Sequence, residues 1–422
     1  MIRPLLAAAV AELAATALVH GHRRRFPWLI TGADRVPVLD PDLVRAHASR
    51  SFDPELGWCR RPGETGTDIT DAGTTRYSID SAGRRTNPGF AEHASAPIAC
   101  FGDSFTFCRL VDDDQTWPHH LSRLTGVNVA NYGVGNYGLD QALLRLEREL
   151  PHLDADLIVM GVVPETIARV HSVWKHYFEY GNTLAFKPRF QLTDDGLVLH
   201  PSVIMCPQDF GNYSLHLPHV QELDPFYRRK FRRDLLGFPY LPRLLWRGRR
   251  YLPILFHLSI GMLRGRRDDG FRKAFAVITR ENHRLTSKLY RETGPRALLT
   301  ALIERFAETC AAAGKQAALA ILPQPGDLTQ EPGAHEEFFT SLAPILPVID
   351  LTMDFRAHSE LAGLYAYGKL GPHPSDHGNR LIAEVLAGRL PTAYSAGAAT
   401  GHRDPARHTR PAGHRIEPGG TR

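Results

Sequence analysis

Apolar and polar residues follow two rhythms along this chain, and the switch between them outlines its architecture. From residue 96 to 170, short apolar runs alternate with stretches whose apolar positions recur every three or four residues. Ile98 to Phe101, Val127 to Ala130 and Leu157 to Val163 read as strands, the last apolar throughout as in a strand buried on both faces. Between them the spacing of Trp117, Leu121 and Leu124 predicts a helix over 116–124, and that of Leu143, Leu146 and Leu150 one over 139–150. The rhythm resumes after residue 295. A helix is expected from Arg296 to Ala313, turning Leu299, Leu302, Ile303, Phe306 and Cys310 inward and stopping at Gly314. Strands are expected over 317–322 and 345–350, and a closing helix from Ser375 or Asp376 to Leu390. Alternation of this kind, joined by right-handed crossovers, predicts an α/β protein with a three-layer α/β/α architecture around a doubly wound parallel sheet.

Elsewhere the rhythm is absent. Residues 26–95 suggest a small leading region of turns and short strands, with 57–60 and 75–80 half-buried and able to pair along the edge of the main sheet. Residues 171–294 form a long, mostly helical insertion rich in aromatic residues, proline and arginine. Its centre, from Phe226 to Arg250, interleaves basic and apolar side chains, which suits a solvated helical hairpin, a lid, or an amphipathic segment on an anionic membrane surface. Residues 393–422 have hardly any large apolar side chain and are expected to be disordered. Pro4 to Val19 is apolar except for Glu12. Sixteen residues fall short of the roughly 20 that span a bilayer. An anchor, a weak export signal and an Ala-rich helix packed on the domain all fit residues 1–25, so cytoplasmic, membrane-associated and exported locations stay open.

The candidate chemistry sits where the first strand breaks, at Gly102-Asp103-Ser104. A serine on the turn leaving a parallel strand lies where open α/β sheets build their sites. Gly102 permits the sharp turn, Asp103 can cap the next turn of chain, and Ser104 presents its hydroxyl at the rim. A seryl hydroxyl needs a neighbouring base. His373, kept out of helical conformation by Pro374 and expected in a loop before the last helix, can project toward the same rim. Gly102-Asp-Ser-Phe105, then Asn131 with Gly133, Gly135 and Gly138, then His373-Pro-Ser-Asp-His-Gly378 resemble three signature blocks of the SGNH/GDSL hydrolase family, over residues 96–170 and 295–392.

The resemblance implies a flavodoxin-like sheet and an esterase, deacylase or acyl transferase acting on an acylated carbohydrate, lipid or small ester. It casts Ser104 as nucleophile, His373 as general base, and the backbone at Gly135 or Asn136 as part of an oxyanion hole. Two positions depart from the family pattern. Leu370 replaces the aspartate that usually precedes the histidine, leaving a Ser–His dyad oriented by a backbone carbonyl, or Asp350 or Asp354 reaching in; Asp376 is expected to cap the last helix instead. Glu165 stands near the family's asparagine donor, where it serves only if held protonated; otherwise Thr166 supplies a hydroxyl or no side chain does. These departures favour an alternative, a non-catalytic member of the fold that binds a glycan or protein partner.

Composition narrows little. The 422 residues are 43% hydrophobic and carry a net charge of +5, part of it a local arginine concentration. The five cysteines form no CxxC pair, and Cys100 and Cys310 read as core residues. His119-His120 and His20-Gly21-His22 lack partners at metal-ligand spacing. Gly133-x-Gly135-x-x-Gly138 matches a dinucleotide fingerprint without the acidic residue that should come after it. No cofactor, metal or nucleic-acid partner is expected.

Overall fold

In the computed structural model, which describes residues 2–329, 333–368 and 371–391, the alternating segments form one parallel sheet. The leading region contributes a hairpin, β1 (Thr65–Thr70) and β2 (Gly73–Ser78). The main sheet is built from β3 (Ile98–Gly102), β4 (Val129–Asn131), β5 (Leu157–Val162), β6 (Gln316–Ile321) and β7 (Val348–Asp350). Its spatial order is β4-β3-β5-β6-β7, all parallel. In order of appearance that is 2-1-3-4-5, a doubly wound order whose ligand crevice opens at the carboxyl ends of the strands, beside the first.

Side-chain alternation fills both faces of the sheet. Ala99, Phe101, Ile158, Met160, Leu319 and Ile321 enter one core cluster, whereas Ile98, Cys100, Leu157, Val159, Ala318 and Ala320 enter another. Helices Leu139–Glu149 and Thr293–Ala312 cover the first face, and Trp117–Thr125 and Asp376–Arg389 the second. The seventh strand is shorter than the apolar run 345–350 predicts. Pro347 has no N–H for the ladder, and pairing begins at Val348.

The leading hairpin does not join the main sheet. It pairs through Thr70 with β8 (Tyr365–Gly368), which pairs in turn with β9 (Gly371–Pro374), giving a separate antiparallel sheet of order β9-β8-β1-β2. Gly57–Trp58 pairs only with Phe52–Asp53. Backbone pairing of the leading region with the main sheet is confined, among the described residues, to one bridge at the sheet's edge, where the Arg85 N–H donates to the Asn131 carbonyl at 2.8 Å. His373 therefore lies on a strand rather than in a loop, with Ala366 as its ladder partner. The insertion holds four helices of seven or more residues, Leu217–Leu223, Tyr240–Trp246, Gly248–Leu263 and Arg267–Leu289, together with an unforeseen hairpin of Arg189–Thr193 and Gly196–His200. Residues 393–422 and Leu370 lie outside the described residues.

Candidate active site

Ser104 opens a one-turn helix, Ser104–Phe107, at the carboxyl end of β3. Gly102 has φ +153°, and a Cβ there would lie 1.9 Å from the Gly161 carbonyl oxygen, so only glycine allows β3 to press this closely on β5. Asp103 caps the turn: its carboxylate accepts from the Phe105 N–H at 2.8 Å and from the Val163 N–H at 3.2 Å. The turn Gly133–Asn136 packs against the same helix. Val134 N–H donates to the Gly102 carbonyl at 3.0 Å, and a Cβ on Gly133 would lie 2.2 Å from the Phe107 nitrogen. Asn131 ties the two together, donating to the Thr106 carbonyl and accepting from the Gly133 N–H, each at 2.9 Å.

The second sheet brings His373 to this point. Its Nε2 lies 2.9 Å from Ser104 Oγ, across 269 residues of chain. The seryl hydroxyl donates to Nε2 in the tautomer that carries its proton on Nδ1. Both side chains are buried, at 7% and 5% exposure. Nδ1 is buried as well, and the Gly371 backbone acts on the ring as hydrogen-bond acceptor in place of a carboxylate. None of the anticipated carboxylates reaches it. Asp350 accepts from the Thr352 N–H, Asp354 pairs with Arg389, and Asp376 binds His120 and Arg380. The last helix is capped by Ser375, not by Asp376.

Burial drops the His373 imidazole to about 3, with the nearby Arg109 pushing the same way and the Gly371 carbonyl acting against both. The ring is therefore neutral at physiological pH and able to accept a proton. A general base titrating at its ordinary value would give kcat/KM an acid limb near 6.5. Here the profile for a neutral ester is expected to stay flat from about pH 8 down to about pH 5. A limb near 6.5 in a pH–rate profile would show that water reaches this histidine in solution.

Beside the serine lies a buried cluster of three carboxylates and two cations. Arg169 holds Glu165 at 2.8 Å and Asp103 at 3.2 Å, while Lys175 holds Glu179 at 3.3 Å and the Asn136 side-chain oxygen at 2.6 Å. With more acids than bases away from water, the cluster favours an extra proton. Burial accordingly raises both Asp103 and Glu165 above the usual carboxylate range, against the pull of Arg169. Burial also brings Lys175 down to about 8. Asn136 adopts φ +70°, held there with its carbonyl and side chain both on Lys175. Gly135 is tied through its carbonyl to the Trp58 indole at 3.0 Å. The buried Thr166 hydroxyl accepts from the Leu139 N–H at 2.9 Å, which leaves its own proton for donation. The Glu165→Gln variant keeps a donor and a partner for Arg169. It is expected to hold kcat/KM within about tenfold, whereas loss of a true oxyanion donor costs on the order of 10²–10³.

Two residues of the leading region complete the surroundings. The Arg85 guanidinium donates to the carbonyls of Phe107, Cys108 and Val111 and to Asp113. The loop it grips contains Cys108 and Leu110, at φ +61° and +68°, conformations that cost non-glycine residues and need outside support. Asp68 on β1 pairs with Arg109 through two bonds and accepts from the Leu110 N–H, placing an ion pair beside His373. The only hint of either in the sequence is polar residues in a segment without a strong pattern.

No family model and no curated protein matches this chain. Among solved structures, a lipolytic G-D-S-L family protein from Desulfitobacterium hafniense DCB-2 aligns over 68% of this chain and 96% of its own, at 13% identity and TM-score 0.31. Another from Veillonella parvula DSM 2008 aligns over 68% and 94%, at 11% identity and TM-score 0.33.

Proposed function

We propose that this chain is a serine esterase or acyl transferase of the SGNH/GDSL kind. The observation that carries the reading is the 2.9 Å approach of Ser104 Oγ to a neutral, buried His373 Nε2 at the carboxyl end of a parallel sheet. In acylation Oγ attacks the ester carbonyl carbon as Nε2 takes its proton. The tetrahedral intermediate then collapses, the C–O bond to the alcohol breaks, and the imidazolium returns the proton to the leaving oxygen. Water or an acceptor hydroxyl releases the acyl group by the reverse sequence. The Ser104 N–H and a backbone N–H of the Gly135–Asn136 turn serve as oxyanion donors, with a protonated Glu165 as a third. The pair works as a dyad, the histidine being oriented by packing on Phe105, whose ring centroid is 5.1 Å from its own. An acylated carbohydrate, lipid or small ester fits as substrate class.

A second reading, a binding module on the same fold, is favoured by the lack of a carboxylate on Nδ1 of His373 among the described residues. Turnover of short p-nitrophenyl esters and covalent labelling by a fluorophosphonate separate the two. The enzyme reading requires both, and folded protein inert to both belongs to the binding reading.

A further inference from the structure

The sixteen-residue apolar run belongs to a longer helix, Ile2–Arg23, which is long and apolar enough to cross a bilayer after all, and only 11% of its apolar window is buried. Leu6, Val10 and Leu13, at i, i+4 and i+7, form an outward stripe and are 59–70% exposed. Its opposite side is tied to the insertion. Glu12, the one charge in the apolar run, accepts from the backbone N–H groups of Tyr240 and Leu241 at the start of helix Tyr240–Trp246. His22 meets Ser259 of helix Gly248–Leu263 at 3.0 Å. The three helices thus belong to one layer.

The other two helices are also apolar on the outside. Leu245 and Trp246 are 67% and 88% exposed, and Leu252, Phe256 and Leu263 make one stripe along Gly248–Leu263. Beside Trp246 an open cleft of about 800 Å³ is lined by Arg228, Arg232, Arg233 and Arg243. None of these four arginines has an ion-pair partner among the described residues.

We propose that this layer seats the protein on an anionic phospholipid bilayer, lying in the interface plane, with the outward leucines, Phe256 and Trp246 among the acyl chains and the cleft arginines on lipid phosphates. Two features single out that partner. Large apolar side chains on adjoining helices make a surface that water does not tolerate well, and a tryptophan next to unpaired arginines matches the chemistry of the headgroup boundary. Lying flat, rather than crossing, is dictated by Glu12 and His22. Both hold the first helix against the arginine-bearing segment, which a spanning helix would have to carry into hydrocarbon. The surface is independent of the Ser104–His373 pair.

The test is co-sedimentation of the full chain with vesicles of phosphatidylcholine alone or mixed with phosphatidylglycerol, at low and high salt. Binding to the mixed vesicles is expected, weakened about tenfold or more by neutral lipid or high salt. Both the Leu245→Glu/Trp246→Glu and the Arg232→Glu/Arg233→Glu variants should lose it by a similar factor, with an unchanged far-UV spectrum and unchanged esterase activity on a soluble substrate. Folded protein that stays in the supernatant with mixed vesicles overturns the proposal. So does a lipid-free dimer in the ultracentrifuge that Trp246→Glu dissociates, because the apolar face then belongs to a second copy. Retention in the membrane after alkaline carbonate extraction also overturns it, because the first helix then spans.

Discussion

The Ser104→Ala variant is expected to lose ester turnover on the order of 10⁶-fold in kcat, the scale of removing the nucleophile from a serine hydrolase. Covalent labelling by a fluorophosphonate should vanish with it. The expectation is sharp because the substitution removes a single oxygen from a well-supported site. Asp103 still caps the turn, Gly133 still packs on it, and among the described residues the hydroxyl has no partner other than His373. Thermal unfolding should therefore move little, separating lost chemistry from lost fold. Labelling that persists in Ser104→Ala would move the nucleophile elsewhere and remove the role proposed for His373. Wild-type protein that is folded and inert to both reagents would leave the α/β sheet as a binding scaffold.

The largest stability effect is expected at Asp140. Its carboxylate receives the Lys187 ammonium with both side chains at 1% exposure or less, and it also accepts from the Gln141 N–H at 2.9 Å. The pair joins helix Leu139–Glu149 to the insertion, since Lys187 lies just before the strand Arg189–Thr193. Asp140→Ala strands an ammonium in the core, where the Pro188 carbonyl at 3.0 Å is its remaining hydrogen-bond partner. Breaking a buried pair in this way costs about 3–5 kcal/mol, a large share of a domain's roughly 5–15 kcal/mol. Replacing both members with apolar residues, as in Asp140→Leu/Lys187→Met, should recover most of that loss, because desolvation offsets much of what the pair contributes. Urea unfolding of the two variants checks both statements. A loss below about 1 kcal/mol in Asp140→Ala would mean that water reaches Lys187.

The parts of this protein legible in its sequence are those governed by near neighbours. Strands 98–102, 157–162 and 316–321 and helices Leu139–Glu149, Thr293–Ala312 and Asp376–Arg389 can be read from apolar spacing over a dozen residues, because a buried strand and a one-faced helix each repeat their pattern locally. Ser104 after a glycine at a strand's end carries its position with it. His373 could be selected by its setting among 21 histidines but not placed. Its strand forms only because Tyr365–Gly368 folds back on it and meets β1, which lies far earlier in the chain.

Hydrophobic periodicity is a short-range code, and it determined the order of strands and helices along the chain; the two side chains from which a site could be assembled came from short motifs and their resemblance to the SGNH/GDSL signature blocks. Tertiary structure alone decided what surrounds them: the Arg85 grip on residues 107–111, the gathering of Asp103 and Glu165 around Arg169, and the union of Glu12 with residues 240 and 241. Polar groups carry no period. Each needs whichever partner the fold brings within about 3 Å, and such a partner can come from anywhere along the chain.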